Sequence, residues 1–148
     1  MSDLVFNIAK GKAAYYATLP AANDALVVVV LQSSGLGTDA TLRDLTTLTA
    51  VLGAATEQTT MGRKTISSGV AVSVDNTNDR TDVDITTDPV WSGATGAAVG
   101  ALVVCYCPDT TSPSDSTMIP LTKHDFVVTP NGSDIQAQIA ASGFYRAA

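Results

Sequence analysis

The chain holds one histidine, His124, followed directly by Asp125. An imidazole beside a carboxylate is the pairing that general-base chemistry uses. Consecutive strand residues leave opposite faces, however, so adjacency alone builds no dyad. No Gly-x-Ser-x-Gly turn is present to present a serine nucleophile. We therefore read His124 as a structural imidazole at a strand start. Cys105 and Cys107 are the only cysteines. At i and i+2 of a strand they share a face, with Cβ atoms too far apart for an easy disulfide. With one histidine they cannot complete a four-ligand zinc site, and they read as two small apolar residues.

The densest set of oxygen ligands runs from Asp75 to Asp84, and includes Asp79 and Asp82. Calcium takes about six to eight oxygens, and the helix-loop-helix calcium loop wants Gly at its sixth position and Glu at its twelfth. Those positions hold Arg80 and Thr86. The run is expected to be a solvated hairpin turn, with Asp82 and Asp84 on one exposed face. Gly35-Leu36-Gly37 and the glycines from 93 to 100 lack the spacing of a dinucleotide or phosphate loop. Asn131-Gly132-Ser133 matches a glycosylation sequon, but no secretory signal accompanies it, so it reads as a tight turn. No catalytic, cofactor-binding or metal-ligating residue is assigned.

The elements that would position these groups are mostly strands. Ala25 to Leu31 is apolar without alternation, which predicts a strand covered on both faces. Ala101 to Tyr106 predicts a second central strand. Short strands are expected at 13–17, 63–67, 70–74, 83–85, 90–91, 118–121, 125–128 and 135–139. The spacing predicts one short helix near residues 40–53, with Leu42, Leu45, Leu48 and Leu52 on one face, Thr38 or Asp39 as cap and Gly53 as stop. The expected fold is mainly β: a single-domain antiparallel β-sandwich or barrel, jelly-roll-like, over residues 1–148. Residues 1–9 read as an extended N-terminal arm.

Composition narrows the functions. At 148 residues the chain can bury a core without disulfide or metal. Charged residues are 15%, against roughly 25% in an ordinary soluble domain, and Thr and Ser take their place. A formal charge of −6 with eight Lys and Arg argues against nucleic acid as partner. The longest apolar run is far short of the ~20 residues a membrane helix needs. A soluble chain made in a cytoplasm is expected. The remaining signals are for interaction: Leu4, Val5, Phe6 and Ile8 near one end, Phe144 and Tyr145 near the other. Apolar residues there either pin the terminus to its own core or dock on a partner. We take these six as a candidate partner interface, with strand edges as a further means of pairing.

Several stretches resemble a family of small tailed-bacteriophage virion proteins. They are residues 3–11 (DLVFNIAKG), 25–36, 40–45 (ATLRDL), 77–85 (TNDRTDVDI), 102–106 (LVVCY) and 119–134 (IPLTKHDFVVTPNGSD). The resemblance implies a capsid decoration, or cement, protein: β-rich, trimeric, on the capsid exterior, bound between major capsid protein subunits and stabilising the head. It brings no functional residues to transfer. A tail, neck or fibre-attachment protein is the nearest alternative. A carbohydrate-binding or hydrolase module, with its site on the 75–82 or 92–100 loops, is the alternative of another class.

Overall fold

In the computed structural model, which describes residues 2–148, the chain is mainly β, with antiparallel sheets and a β-sandwich-like arrangement. Among the described residues there are ten strands: β1 Leu4–Val5, β2 Ala25–Gln32, β3 Lys64–Ile66, β4 Val70–Asp75, β5 Arg80–Ile85, β6 Val90–Trp91, β7 Val99–Cys107, β8 Ile119–Val128, β9 Ile135–Gln136 and β10 Tyr145–Ala147. Three short helices accompany them: α1 Ala13–Ala17, α2 Asp39–Arg43 and α3 Leu48–Ala54.

A five-stranded sheet, in the order β1-β8-β7-β2-β3, forms the middle of the molecule. Its two longest ladders, β2–β7 and β7–β8, are antiparallel. Every residue of β7, and Ala25 to Leu31 of β2, is buried. Alternation assigns their side chains to two separate cores. Leu26, Val28, Val30, Leu102, Val104 and Tyr106 pack with Val83, Ile85, Trp91, Ile135 and Phe144. Val27, Val29, Leu31, Ala101, Val103 and both cysteines pack with Leu42, Leu48 and Val51. The expected two-sided cover of β2 is thus supplied by α2 and α3 on one face. On the other lie α1, a three-stranded sheet (β10-β5-β4) and a two-stranded one (β6-β9). Two sandwiched cores explain why these strands read as continuous apolar runs.

The structure corrects four local expectations. The helix expected near 40–53 is two helices, because two threonines cap. The Thr38 hydroxyl accepts from Thr41 N, and the Thr47 hydroxyl accepts from Ala50 N. The chain restarts at Leu48, whose N–H donates to Met118 O, and Gly53 lies inside α3 rather than stopping it. Residues 13–17 form α1 rather than a strand; alanine is the best helix former, and Ala13 and Ala17 at i,i+4 seat on the core. The strands expected at 118–121 and 125–128 are one strand, β8, whose polar middle is absorbed by the contacts described below. The expected arm over residues 1–9 is a strand, β1, followed by a 3₁₀ turn at Asn7–Ala9.

Two glycines are required by close approach. At Gly143 φ is +79°, and a Cβ there would run into the Val83 carbonyl. At Gly100 a Cβ would come within 2.8 Å of Ser33 Cα.

Candidate functional site

His124 lies inside β8 rather than at its start, on the face that carries Leu102 and Val104. Its Nδ1 is 3.2 Å from Asp3 Oδ2 and its Nε2 is 2.9 Å from Thr122 Oγ1. Carboxylate, imidazole and hydroxyl therefore stand in line, as in a nucleophilic triad. The line is sheltered: Thr122 is only 1% exposed. What it does is fix the imidazole against the ring of Phe144, edge-on at 6.4 Å between centroids. The other oxygen of Asp3 accepts the Asp125 N–H at 2.7 Å, so β1 is stitched to β8 by a side chain where backbone pairing ends.

A crevice of about 330 Å³ opens beside His124, between β8 and the 137–144 segment. Its walls are largely apolar, with Val28, Ile85, Leu102, Phe126, Ile139 and Phe144 among them, and Asp3 and Asp125 at the polar side. A smaller cleft next to it is bounded by Asp3, Leu4 and Val5 from one end of the chain and Phe144, Tyr145 and Arg146 from the other. The two ends of the chain meet there.

Lys123, between Thr122 and His124, points to the opposite face. Its side chain is fully buried, and Nζ reaches Asp39 Oδ1 at 2.8 Å, Asp125 Oδ1 at 2.7 Å and Ser2 O at 2.8 Å. Burial alone would lower its pKa, but the bonds to Asp125 and Asp39 outweigh that and raise it. The bond from Lys123, helped by the Ser2 N–H, holds the Asp39 carboxyl down at about 2. Arg63 makes a second ionic clasp: Nε and Nη2 donate to Glu57 at 2.7 Å each, and Nη1 and Nη2 to Asp115 at 2.5 and 3.0 Å. Bidentate forks of this kind fix orientation as well as charge. Asp24, buried, accepts from the Tyr106 hydroxyl at 2.7 Å.

The Asp75–Asp84 run forms the expected β4–β5 hairpin. Two of its carboxylates, Asp75 and Asp82, are engaged internally, while Asp84 Oδ1 is buried without a hydrogen-bond partner. Asp75 accepts from Asn78 and from the Thr77 amide; Asp82 pairs with Arg146 and lies near Arg80. Asp82 and Asp84 share the outer face, as expected, but both are half-buried. Among the described residues, no three His, Cys, Asp or Glu side chains gather as a metal site would require. Both cysteines are free and buried, and burial pushes the Cys105 thiol up, so it stays protonated.

Of the six residues taken as a partner interface, three belong to the protein's own core. Phe6 is fully buried, Leu4 is 7% and Phe144 8% exposed. Leu4 and Phe6 join the helix-side core and Phe144 the other, so these ends are pinned rather than free. Val5 and Tyr145 are half-buried, and Ile8, at 38%, is the one well exposed. More exposed valines lie elsewhere: Val127 on β8 at 86%, Val74 on β4 at 67% and Val90 on β6 at 40%, with Val72 on β4 close to Ile8 at 36%. For Val72 and Val74 the signal in the sequence was the alternation of residues 70–74. The Lys123 and Arg63 clasps left no such signal, since their partners are distant in the chain.

No family model matches the chain, and neither a curated protein nor a solved structure matches it.

Proposed function

We propose that this chain is a non-enzymatic structural protein of a bacteriophage virion. In this reading it is a capsid decoration protein that seats between major capsid protein subunits on the head exterior and stabilises the head. It would be made in the host bacterial cytoplasm and work as a homo-oligomer, with a trimer expected. The observation that carries the reading is the set of valines held in water along open strand edges: Val72 and Val74 on β4, and Val127 on the part of β8 that β1 leaves unpaired. Open edges and exposed apolar side chains are what a protein that pairs with other protein surfaces presents. The resemblance of residues 3–11, 77–85 and 119–134 to phage virion proteins supplies the kind of surface.

The test is direct. Mass spectrometry and cryo-electron microscopy of purified particles should find the protein on heads at high copy. Its absence from heads would end the reading, and a low copy number confined to the neck or tail would replace it with the tail-protein alternative. Removing residues 2–9 is a poor variant, because it takes Leu4 and Phe6 out of the core. Val127→Asp and Ile8→Asp leave the core intact and should lower head occupancy at least tenfold.

A further inference from the structure

We infer that β4 is a self-pairing edge: two copies of this chain join through their β4 strands, antiparallel, about a two-fold axis through Val72. β4 is the last strand of the β10-β5-β4 sheet. The Thr86 N–H donates to Gly69 O, and Val70 stands opposite Ile85, which sets the phase of the ladder. Ala71, Ser73 and Asp75 therefore turn their backbone groups toward β5. Val70, Val72 and Val74 turn theirs outward.

That phase allows one well-overlapped two-fold pairing. Val72 exchanges both backbone bonds with Val72 of the second copy, and Val70 with Val74 of the second copy, in each direction. The same pairing sets valine side chains against valine side chains on one face. On the other it sets Ala71 against Ser73.

Natural edges are guarded by lysine, proline, a bulge or an inward charge. Residues 70–74 carry none of these, and the ladder to β5 has no register shift. Along the strand no like charges are opposed when a second copy pairs with it. The segment is neutral, and its nearest charge, Asp75, falls opposite Gly69 rather than another acid. The contact is small: five residues a side, against roughly 20–30 in a standard interface. It is thus weak between free copies and gains strength where copies are held side by side on a common surface. The inference does not depend on that surface being a phage head.

Analytical ultracentrifugation of the full chain from micromolar to millimolar concentration tests it. A reversible dimer is expected that tightens with salt, since chains of charge −6 repel. Because Val72 lies on the axis, Val72→Lys opposes two lysines and should weaken the dimer at least tenfold, as should Val72→Asp. Mixing the two variants should restore pairing. Val72→Pro offers a second route, since it removes an outward N–H and no bond to β5. Circular dichroism confirms that each variant folds. A strictly monomeric wild type, a dimer or trimer indifferent to these substitutions, or a failure of the mixed variants to pair would overturn the inference.

Discussion

Lys123 Nζ lies 2.8 Å from Oδ1 of Asp39, 84 residues away in the chain, with none of its side chain in contact with solvent. One ammonium thereby holds the cap region of α2, the Ser2 carbonyl and the middle of β8 together. A buried cation is tolerable only when its protons are all placed, and here three oxygens take them.

Lys123→Ala should therefore cost about 3 kcal/mol, the low end for breaking a buried pair, since both carboxylates keep some solvent. The loss should appear as a fall in Tm of about 10 °C. Thermal unfolding by circular dichroism measures it. A change below 2 °C would mean the ammonium is not held as described.

The acid limb of stability should trace to the same clasp. Asp39 is held at about 2 against an ordinary 3.8, so its ionised form favours the folded state. That contribution is complete above 3.8 and disappears as pH falls through about 2. Asp115 beside Arg63 and Asp82 beside Arg146 are lowered too, and act in the same direction. Lys123 is raised above 10.5, so its contribution is intact below that value. Tm should be nearly flat from about pH 5 to 9 and fall below about 4. Asp39→Asn should lower the plateau and soften the acid fall. A wild-type decline already under way at pH 6 would point to other groups.

The two aliphatic and aromatic residues at the start of the chain should separate sharply. Phe6 is fully buried, and Phe6→Ala should cost about 3–5 kcal/mol. Ile8 is 38% exposed and Ile8→Ala should stay within about 0.5 kcal/mol. Chemical denaturation of both variants reads the difference. Equal effects would return residues 4–8 to the status of an undocked arm.

Gly143→Ala should be costly for a side chain of one carbon. It forces a β-carbon onto the Val83 carbonyl at a positive φ, just where β10 joins β5. Amide exchange in β10 should rise well before that in β7. Unchanged protection at residues 145–147 would contradict this.

How far the sequence spoke can be judged from particular residues. Ala25 to Leu31 and Ala101 to Tyr106 announced the central strands, because a strand covered on both faces needs no polar alternation. The 75–79 turn and the hairpin around it were legible from Asp and Asn clustering. The α2–α3 break was not, since Leu42, Leu45, Leu48 and Leu52 keep helical spacing across it; Thr47 and the Met118 carbonyl decide the matter, and the second is distant. Residues 13–17 misled through their tyrosines, although alanine carried the local preference. At the candidate site, the partners of His124, Asp3 and Thr122, were invisible without the β1–β8 pairing. Leu4, Phe6 and Phe144 looked like docking residues and dock inward, because a terminal strand that completes a sheet is written in the same letters as one that reaches a partner.

The cleft where residues 3–5 face residues 144–146 makes the two ends of the chain a single point of attachment. Anything fused to either end emerges from the same place on the surface. Tension applied between the ends would fall first on the short β1–β8 and β10–β5 ladders, which tie the two ends down.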